Sequence, residues 1–589
     1  MRYDPERPLI IQSDGALLLE MNHPQSEEAA GSLSRFAELI KTPGHIHTYK
    51  MTSMSLWNAA SSGISAVSVL TELNRYGKFD VPLQVRQTVI RCIDQYGIVK
   101  LVTKSSKLYV QTDQPGLLDK LAGYKLLQAY FIGAANGNKL EVDPAYRGMI
   151  KRDLIRLGYP VEDQAGYHPG ETVPIALRDR TRSDYPLRLR DYQQTAADAF
   201  YDPHTQQGMS GVIVLPCGAG KTVVGIAALA RLQCATLILT TNVASVKQWK
   251  RELLDKTDLD ERMIGEYGGD NREVRAVTIA TYQIMTHRNT KEDAFSHMSL
   301  FHERDWGLIV YDEVHLLPAP VFRATADIQA TRRLGLTATL VREDGREEDV
   351  FSLVGPKLYE AGWKELEHKG WIARVQCTEV RVPLSDAVRD RYANAAIKQK
   401  QRIAGENPQK LDVLLDLLQE HREDQSIVIG QYVDQLKTIA DKVNAPIISG
   451  ETPHEERERL YGLFNRGELR TLVVSKVANF AINLPDARVA IQVSGSFGSR
   501  QEEAQRLGRI LRPKQEGGSA YFYSLVSDDT QEQQFSQHRQ LFLLEQGYRY
   551  EVREAAGRAA DNDERGKQDE SGRAGVTLAG SANPGNMPQ

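Results

Sequence analysis

The sequence predicts an α/β protein built on two tandem parallel-sheet domains, with smaller mixed α+β domains ahead of them. Three observations carry this. At 589 residues the chain exceeds what one hydrophobic core normally supports, so about three or four domains are expected. From residue 187 onward, short β-rich apolar runs alternate with helical patterns: GVIVLP, ATLILT, AVTIAT, WGLIVYDE and RLGLTAT. A second alternating set, SIVIG, APIISG, TLVVS and RVAIQVSG, occupies residues 426–495. Parallel strands buried on both faces read as unbroken apolar runs, with helices as crossovers between them.

Taken in order, PLIIQSDGALLLEM (8–21) sets an SDG turn between two apolar runs and predicts a hairpin. Helical patterns follow over 55–77 and 82–97, and IVKLVTKSSKLYVQ (98–111) then gives two β-rich runs around a Ser-Ser turn. Helix, helix and hairpin is the order of a winged helix, and a first domain is expected over 1–120. A second unit over 121–184 ends in RDRTRSDYPLRLRD (178–191), five arginines against three aspartates, which reads either as a DNA-facing connector or as a solvated linker. The parallel-sheet domains are expected over 185–375 and 376–550. Within the second, residues 383–408 are helical and polar with little apolar face, the pattern of a projecting helical insertion or of a surface helix pair. The Gly, Ala, Asp, Asn and Ser of 551–589 predict a disordered tail.

Apolar content of 41% and charged content of 25% suit large buried cores. A net charge of −4 excludes a uniformly basic nucleic-acid coat but leaves room for a local basic channel. Cys92, Cys217, Cys234 and Cys377 stand far apart without a CxxC pair, so neither a zinc site nor a disulfide framework is expected. The chain has no run of about 18 apolar residues, and MRYDPERPLI lacks the regions of a signal peptide. A cytoplasmic protein is expected.

The chemistry concentrates in GVIVLPCGAGKTVVGIAALA (211–230), a strand, a Gly-containing loop and a helical run. CGAGKT matches the end of a P-loop, in which Gly218, Ala219 and Gly220 present backbone N–H groups to phosphate, Lys221 reaches the β/γ-phosphates and Thr222 binds Mg²⁺. The full pattern asks for glycine where this chain has Leu215. LIVYDEVHLL (308–317) supplies acids at a strand end: Asp312 beside Mg²⁺ and Glu313 as the base that orients water. His315 either relays nucleotide state or packs. QEEAQRLGRILRP (501–513) supplies arginines at helical spacing, where Gln505, Arg506, Arg509 and Arg512 read as nucleotide contacts, with Arg509 and Arg512 as fingers worth about 10³–10⁵ in rate. Gln193, in LRLRDYQ, has the donor and acceptor to read an adenine edge. Gln248 and Trp249, in VKQWKREL, read as a helix face packed on the sheet.

In sequence order Gln193, GAGKT, DEVH, LTAT and QRLGRILR are the motifs of superfamily 2 helicases. The chain resembles the XPB family of DNA repair helicases through DEVH at 312–315, REDG at 342–345 and GYPVEDQAGYHPGETVPIAL at 158–177. The resemblance is strong over 187–543. It implies two RecA-like domains that close on ATP and Mg²⁺, a damage-recognition-like domain ahead of them, and a thumb-like insertion at 383–408. It also implies an ATP-dependent 3′→5′ DNA helicase or translocase in nucleotide excision repair, associated with the nucleoid, with DNA and a nuclease or other repair protein as partners. Thr337 and Thr339 of LTAT would couple nucleotide to DNA. Loops at strand ends put Thr241, Thr281, Gly450 and Ser475 forward as phosphate contacts. SKVANFAINLP (475–485) departs from the family pattern by losing acids at Asn479 and Asn483, which keeps a second reading open: an ATP-gated DNA-damage clamp or duplex translocase with little strand separation.

The nine residues VREDGREED (341–349) carry seven charges around one glycine. A charge run alone is a solvated loop. Following LTAT, Arg342, Glu343 and Asp344 resemble the family's RED element for strand separation, whereas 346–349 keep the solvated reading.

Overall fold

A computed structural model of the chain describes residues 3–41, 46–202, 207–269, 271–288, 296–318, 320–321, 325, 328, 331–338, 347–475, 487–495, 519–545, 548 and 550–555. Thr339, Arg342, Glu343, Asp344, Asn479, Asn483, Gln505, Arg506, Arg509, Arg512 and residues 556–589 lie outside them.

The SDG turn forms as its chemistry dictates: Gly15 takes a left-handed φ of 83°, and Asp14 Oδ1 accepts the Ala16 N–H at 3.0 Å. The hairpin strands Leu9–Ile11 and Ala16–Glu20 pair antiparallel, and Ile46–Lys50 and Glu38–Lys41 extend them to four strands. Helices Ser53–Ser61, Ala66–Tyr76 and Leu83–Gln95 share a core with this sheet through Trp57, Leu73 and Val89. The helical stretch expected over 55–77 is thus two helices. Gly63 turns left-handed at φ 79°, and Ser65 caps the second helix by accepting the Ser68 N–H at 3.1 Å.

Val99–Lys104 and Lys107–Gln111 make the predicted second hairpin, with Ser105 and Ser106 at positive φ. It is not a wing on the three helices. Its strands belong to a five-stranded sheet with Phe131–Asn136, Lys139–Val142 and Val161–Gln164, which has its own core around Leu101, Val110 and Leu154. The winged-helix reading is therefore corrected, and the expected boundary at 120 falls inside this sheet. A hairpin is a local signal, and the strands that claim this one come later in the chain.

The first parallel sheet runs Asn271–Arg272, Ile264–Gly268, Val277–Thr281, Thr236–Thr240, Leu308–Asp312, Arg332–Thr337, Gly211–Val214, Lys357–Glu360. All neighbours are parallel except the outermost pair at Asn271–Arg272. The register sets Val214 beside Thr337 and Asp312 beside Leu336, so the C-terminal strand ends meet along one edge. In parallel sheets such an edge is where ligands bind. This domain also starts earlier than 185: Val173 and Ile175 are buried in its core, and the Val173 N–H donates to Gln233 O at 2.8 Å.

The second parallel sheet orders Ile447–Ile448, Thr471–Ser475, Ser426–Gly430, Val489–Gln492, Ala520–Ser527, Val375–Val382 and Tyr550–Glu554. Every neighbouring pair is parallel. The last strand takes residues 551–554 out of the expected tail. Between Val375–Val382 and helix Gln409–Glu420 lie two short helices of unequal attachment. Asp386–Asn394 buries no residue, whereas Ile397–Gly405 is seated on the sheet, with Ser527 Oγ donating to Ala404 O at 2.7 Å.

The arginine-rich stretch 178–191 lies along the end of helix Val243–Lys256. Arg178 Nε donates to Thr257 O at 2.6 Å, and the Arg190 guanidinium stacks 4.8 Å from the Trp371 ring centroid. Arg182 Nη2 likewise donates to Leu259 O at 3.4 Å, so three of its five arginines hold the fold, which favours the linker reading over the DNA-facing one. No helix among the described residues is long and apolar enough to cross a membrane.

Candidate active site

The loop after Gly211–Val214 turns into helix Lys221–Leu232 through two left-handed glycines, Gly218 at φ 80° and Gly220 at φ 81°. Only glycine adopts this geometry without strain, and it aims backbone N–H groups at the helix N-terminus. Leu215, where a fuller motif has glycine, is wholly buried and donates its N–H to Thr337 O at 2.9 Å. The departure is structural, since residue 215 continues the strand and ties the loop to LTAT.

Gln193 is 5% exposed and fully engaged within the protein: Nε2 donates to Ala219 O at 2.9 Å, while Oε1 accepts the Arg190 N–H at 3.0 Å. Tyr192 adds a hydroxyl bond to the same Ala219 carbonyl at 2.7 Å. Both ends of the Gln193 amide thus brace the loop from behind.

Lys221 and the acids come together. Lys221 Nζ stands 3.4 Å from Glu313 Oε1, with both side chains largely buried. Burial works against charge on Lys221, yet Cys217, Glu313 and Asp312 outweigh it and its pKa is raised. Burial would likewise raise Glu313, but Lys221 outweighs that and holds its carboxyl below the ordinary value. Asp312 goes the other way. Burial and then the Glu313 charge push it up to about 6, against the bonds from Trp249 and Thr240.

Glu313 sits at φ 51° and ψ 55°, a left-handed conformation that costs a non-glycine residue about 1–3 kcal/mol. That turn swings its carboxylate off the strand line to meet Lys221. His315 Nδ1 lies 2.6 Å from Thr337 Oγ1 and 3.6 Å from Glu313 Oε2. The two readings of His315 merge: it is buried and also stands between Glu313 and Thr337 of LTAT.

A divalent cation fits Asp312. Its Oδ2 takes Trp249 Nε1 at 2.9 Å and Thr240 Oγ1 at 3.4 Å, which leaves Oδ1 for a ligand, and Thr222 stands in the first turn of the P-loop helix. Trp249 is buried in the core, as expected of a helix face packed on the sheet, and its bond to Asp312 is additional: a bond across 63 positions has no local signal.

The strand-end candidates divide. Thr241 follows Thr236–Thr240 directly, and its hydroxyl accepts Asn242 Nδ2 at 3.0 Å. Gly450 is exposed beyond Ile447–Ile448. Ser475 ends its strand with a buried hydroxyl that has no hydrogen-bond partner among the described residues. Thr281 does not suit a phosphate contact: it is buried, and its hydroxyl caps helix Tyr282–Met285 by accepting the Ile284 N–H at 3.2 Å.

Three family descriptions match the chain: ERCC3/RAD25/XPB C-terminal helicase over 366–574, helicase conserved C-terminal domain over 9–134, and type III restriction enzyme, res subunit, over 186–342. The chain is 49% identical over 551 residues to the DNA 3′-5′ helicase XPB of Mycobacterium tuberculosis, covering 93% of this chain and 98% of that one. The protein of the same description from Kineococcus radiotolerans is 49% identical over 549 residues, covering 93% and 96%. The general transcription and DNA repair factor IIH helicase/translocase subunit XPB of Encephalitozoon cuniculi is 35% identical over 561 residues, covering 92% of this chain and 82% of that one.

Proposed function

Because the chain belongs to the XPB family of DNA 3′-5′ helicases, we propose that its two RecA-like sheets form an ATP-driven motor that moves 3′→5′ on DNA and separates its strands. The observation that carries the chemistry is the meeting of Lys221 and Glu313 at 3.4 Å beyond the C-terminal strand ends of one sheet. Lys221 and the backbone N–H groups of Gly218, Ala219 and Gly220 hold the phosphates of ATP. Thr222 and Asp312 hold Mg²⁺, which when bound neutralises charge on the phosphates. Glu313, kept ionised by Lys221, orients the attacking water and takes its proton. His315 and Thr337 pass the state of Glu313 to the end of LTAT, where Thr339 follows.

Arg506, Arg509 and Arg512 supply positive charge to the nucleotide when the domains close, and Gln505 contacts it as a neutral amide. Phosphate contacts along the strand fall to Thr241, Gly450 and Ser475, and Arg342, Glu343 and Asp344 part the duplex. The exposed helix Asp386–Asn394 serves as the thumb-like projection, and residues 121–184 carry the damage-recognition role. The setting is DNA repair of the nucleotide excision type on the nucleoid, beside a nuclease or other repair partner.

Forked duplexes with 3′ or 5′ tails, run beside DNA-stimulated ATPase, test this. Displacement from the 3′-tailed fork alone is expected, lost in Lys221→Ala. Replacing Arg342, Glu343 and Asp344 together by alanine impairs displacement while sparing most ATP turnover. Turnover that survives Lys221→Ala refutes the ATP site, and equal loss of both activities in the triple variant returns 342–344 to a structural role.

A further inference from the structure

The segment joining the five-stranded sheet to the first parallel sheet crosses the starts of three strands whose far ends form the ATP site. Tyr167 lies within 5.4 Å, 5.9 Å and 5.6 Å of the guanidinium carbons of Arg147, Arg332 and Arg333, measured to its ring centroid. Cations over an aromatic face are attracted to it, the more so when desolvated. Arg332 and Arg333 begin the strand Arg332–Thr337, whose last residue bonds His315. Arg332 Nη1 donates to His168 O at 2.9 Å, and Arg333 Nε to Leu353 O at 2.8 Å. On the opposite side, Arg147 donates to Asp163 through Nη2 at 2.7 Å and to Gly166 O through Nη1 at 2.9 Å. Lys151 Nζ reaches the same carboxylate at 2.9 Å.

The next residues grip the neighbouring strands. Gly170, at φ +75°, lies so close to Gly307 that a Cβ on either would overlap the other segment's backbone, and Gly307 precedes Leu308–Asp312. The Ala235 N–H donates to Glu171 O, and the Val173 N–H to Gln233 O, each at 2.8 Å, at the start of Thr236–Thr240. Strands are stiff along their length and this contact has no slack, so a shift at the starts is carried to Thr337, Asp312 and Thr240.

We propose that residues 167–173 set the placement of the three central strands for ATP turnover, with Tyr167 as the positioning residue that ties them to the five-stranded N-terminal unit. The proposal rests on the assignment of Lys221 and Glu313 to ATP hydrolysis. Tyr167 touches neither, so its removal should alter the rate of the assembled site more than its occupancy.

The test uses the full chain with Tyr167→Leu, Tyr167→Phe and Arg332→Met, reading DNA-stimulated kcat, the KM for ATP and thermal unfolding. Tyr167→Leu is expected to lower kcat about fivefold with KM changed by less than about twofold. Tyr167→Phe, which keeps the ring face, should match the wild type. Should Tyr167→Leu fail to fold, Arg332→Met gives the same reading from the other side of the contact. Wild-type kcat in both Tyr167→Leu and Arg332→Met, or equal losses in the Leu and Phe variants, would overturn the proposal. Lys221→Ala, run alongside, separates the two ideas, since turnover persisting there refutes the ATP site rather than the connector.

Discussion

The indole N–H of Trp249 donates to Oδ2 of Asp312 at 2.9 Å, from helix Val243–Lys256, which packs on the neighbouring strands Val277–Thr281 and Ile264–Gly268. This bond fixes one carboxylate oxygen and pulls down a group that burial and Glu313 push up to about 6. Trp249→Phe keeps the ring packed against Gly225 but removes the donor. The Mg²⁺ concentration for half-maximal ATPase should rise by about tenfold, the lower range for loss of a bond to a metal ligand. An Mg²⁺ titration of turnover decides it, and an unchanged midpoint would sink the role.

Glu313→Gln should still bind ATP and lose turnover by about 10²–10⁴-fold, the contribution of a positioned base. Nucleotide binding by fluorescence, beside single-turnover hydrolysis, checks both halves. Normal turnover would mean that the base is another group.

Thr337→Val keeps shape and removes the hydroxyl that lies 2.6 Å from His315 Nδ1. ATP turnover should stay within about threefold of wild type while strand displacement falls about tenfold, a coupling of ordinary size. Parallel loss of both activities would make the bond part of hydrolysis itself.

Gly220→Ala meets two obstacles, the left-handed φ of 81° and a new Cβ 2.5 Å from Gln193 Nε2. The KM for ATP should rise at least about tenfold through distortion of the phosphate loop, and Gln193→Ala in the same chain should recover only part of it, because the backbone strain remains. Full recovery in the double variant would assign the whole effect to the side-chain clash.

Asp163 is buried beside Lys151 and Arg147. Burial would raise its pKa, but the two cations outweigh it and hold the carboxyl well below the usual range. A depressed carboxylate contributes stability above its unfolded value near 4, and that contribution is lost as pH falls through the folded value. Asp163→Asn should cost about 3–5 kcal/mol at pH 7, because it strands buried cations. Denaturant midpoints at pH 7 and pH 3 check this: the gap between variant and wild type should narrow at the lower pH.

Much of the fold was legible because parallel strands buried on both faces leave unbroken apolar runs. Gly211–Val214, Thr236–Thr240, Val277–Thr281, Leu308–Asp312 and Ser426–Gly430 all lie within runs read from the sequence. Ile264–Gly268, Lys357–Glu360, Val375–Val382 and Ala520–Ser527 were missed, as their polar positions interrupt the pattern. The meeting of the P-loop lysine with the DEVH acid was legible from spacing, since both motifs are short and sit at strand ends of one sheet. The partners of Gln193, Thr281 and Trp249 were not legible for the opposite reason: they are set by the fold, at Ala219 and Arg190, at the first turn of a helix, and at Asp312.

The touching glycines 170 and 307 also govern how this motor can be cut. A fragment begun at 185, where the composition changes, would discard Val173 and Ile175 from the core and leave the amide of Ala235 without the Glu171 carbonyl. Its exposed underside would be apolar and short of hydrogen bonds, an invitation to aggregate. The smallest soluble catalytic fragment should therefore begin before Tyr167, and Tyr167 brings with it the unit that supplies Arg147.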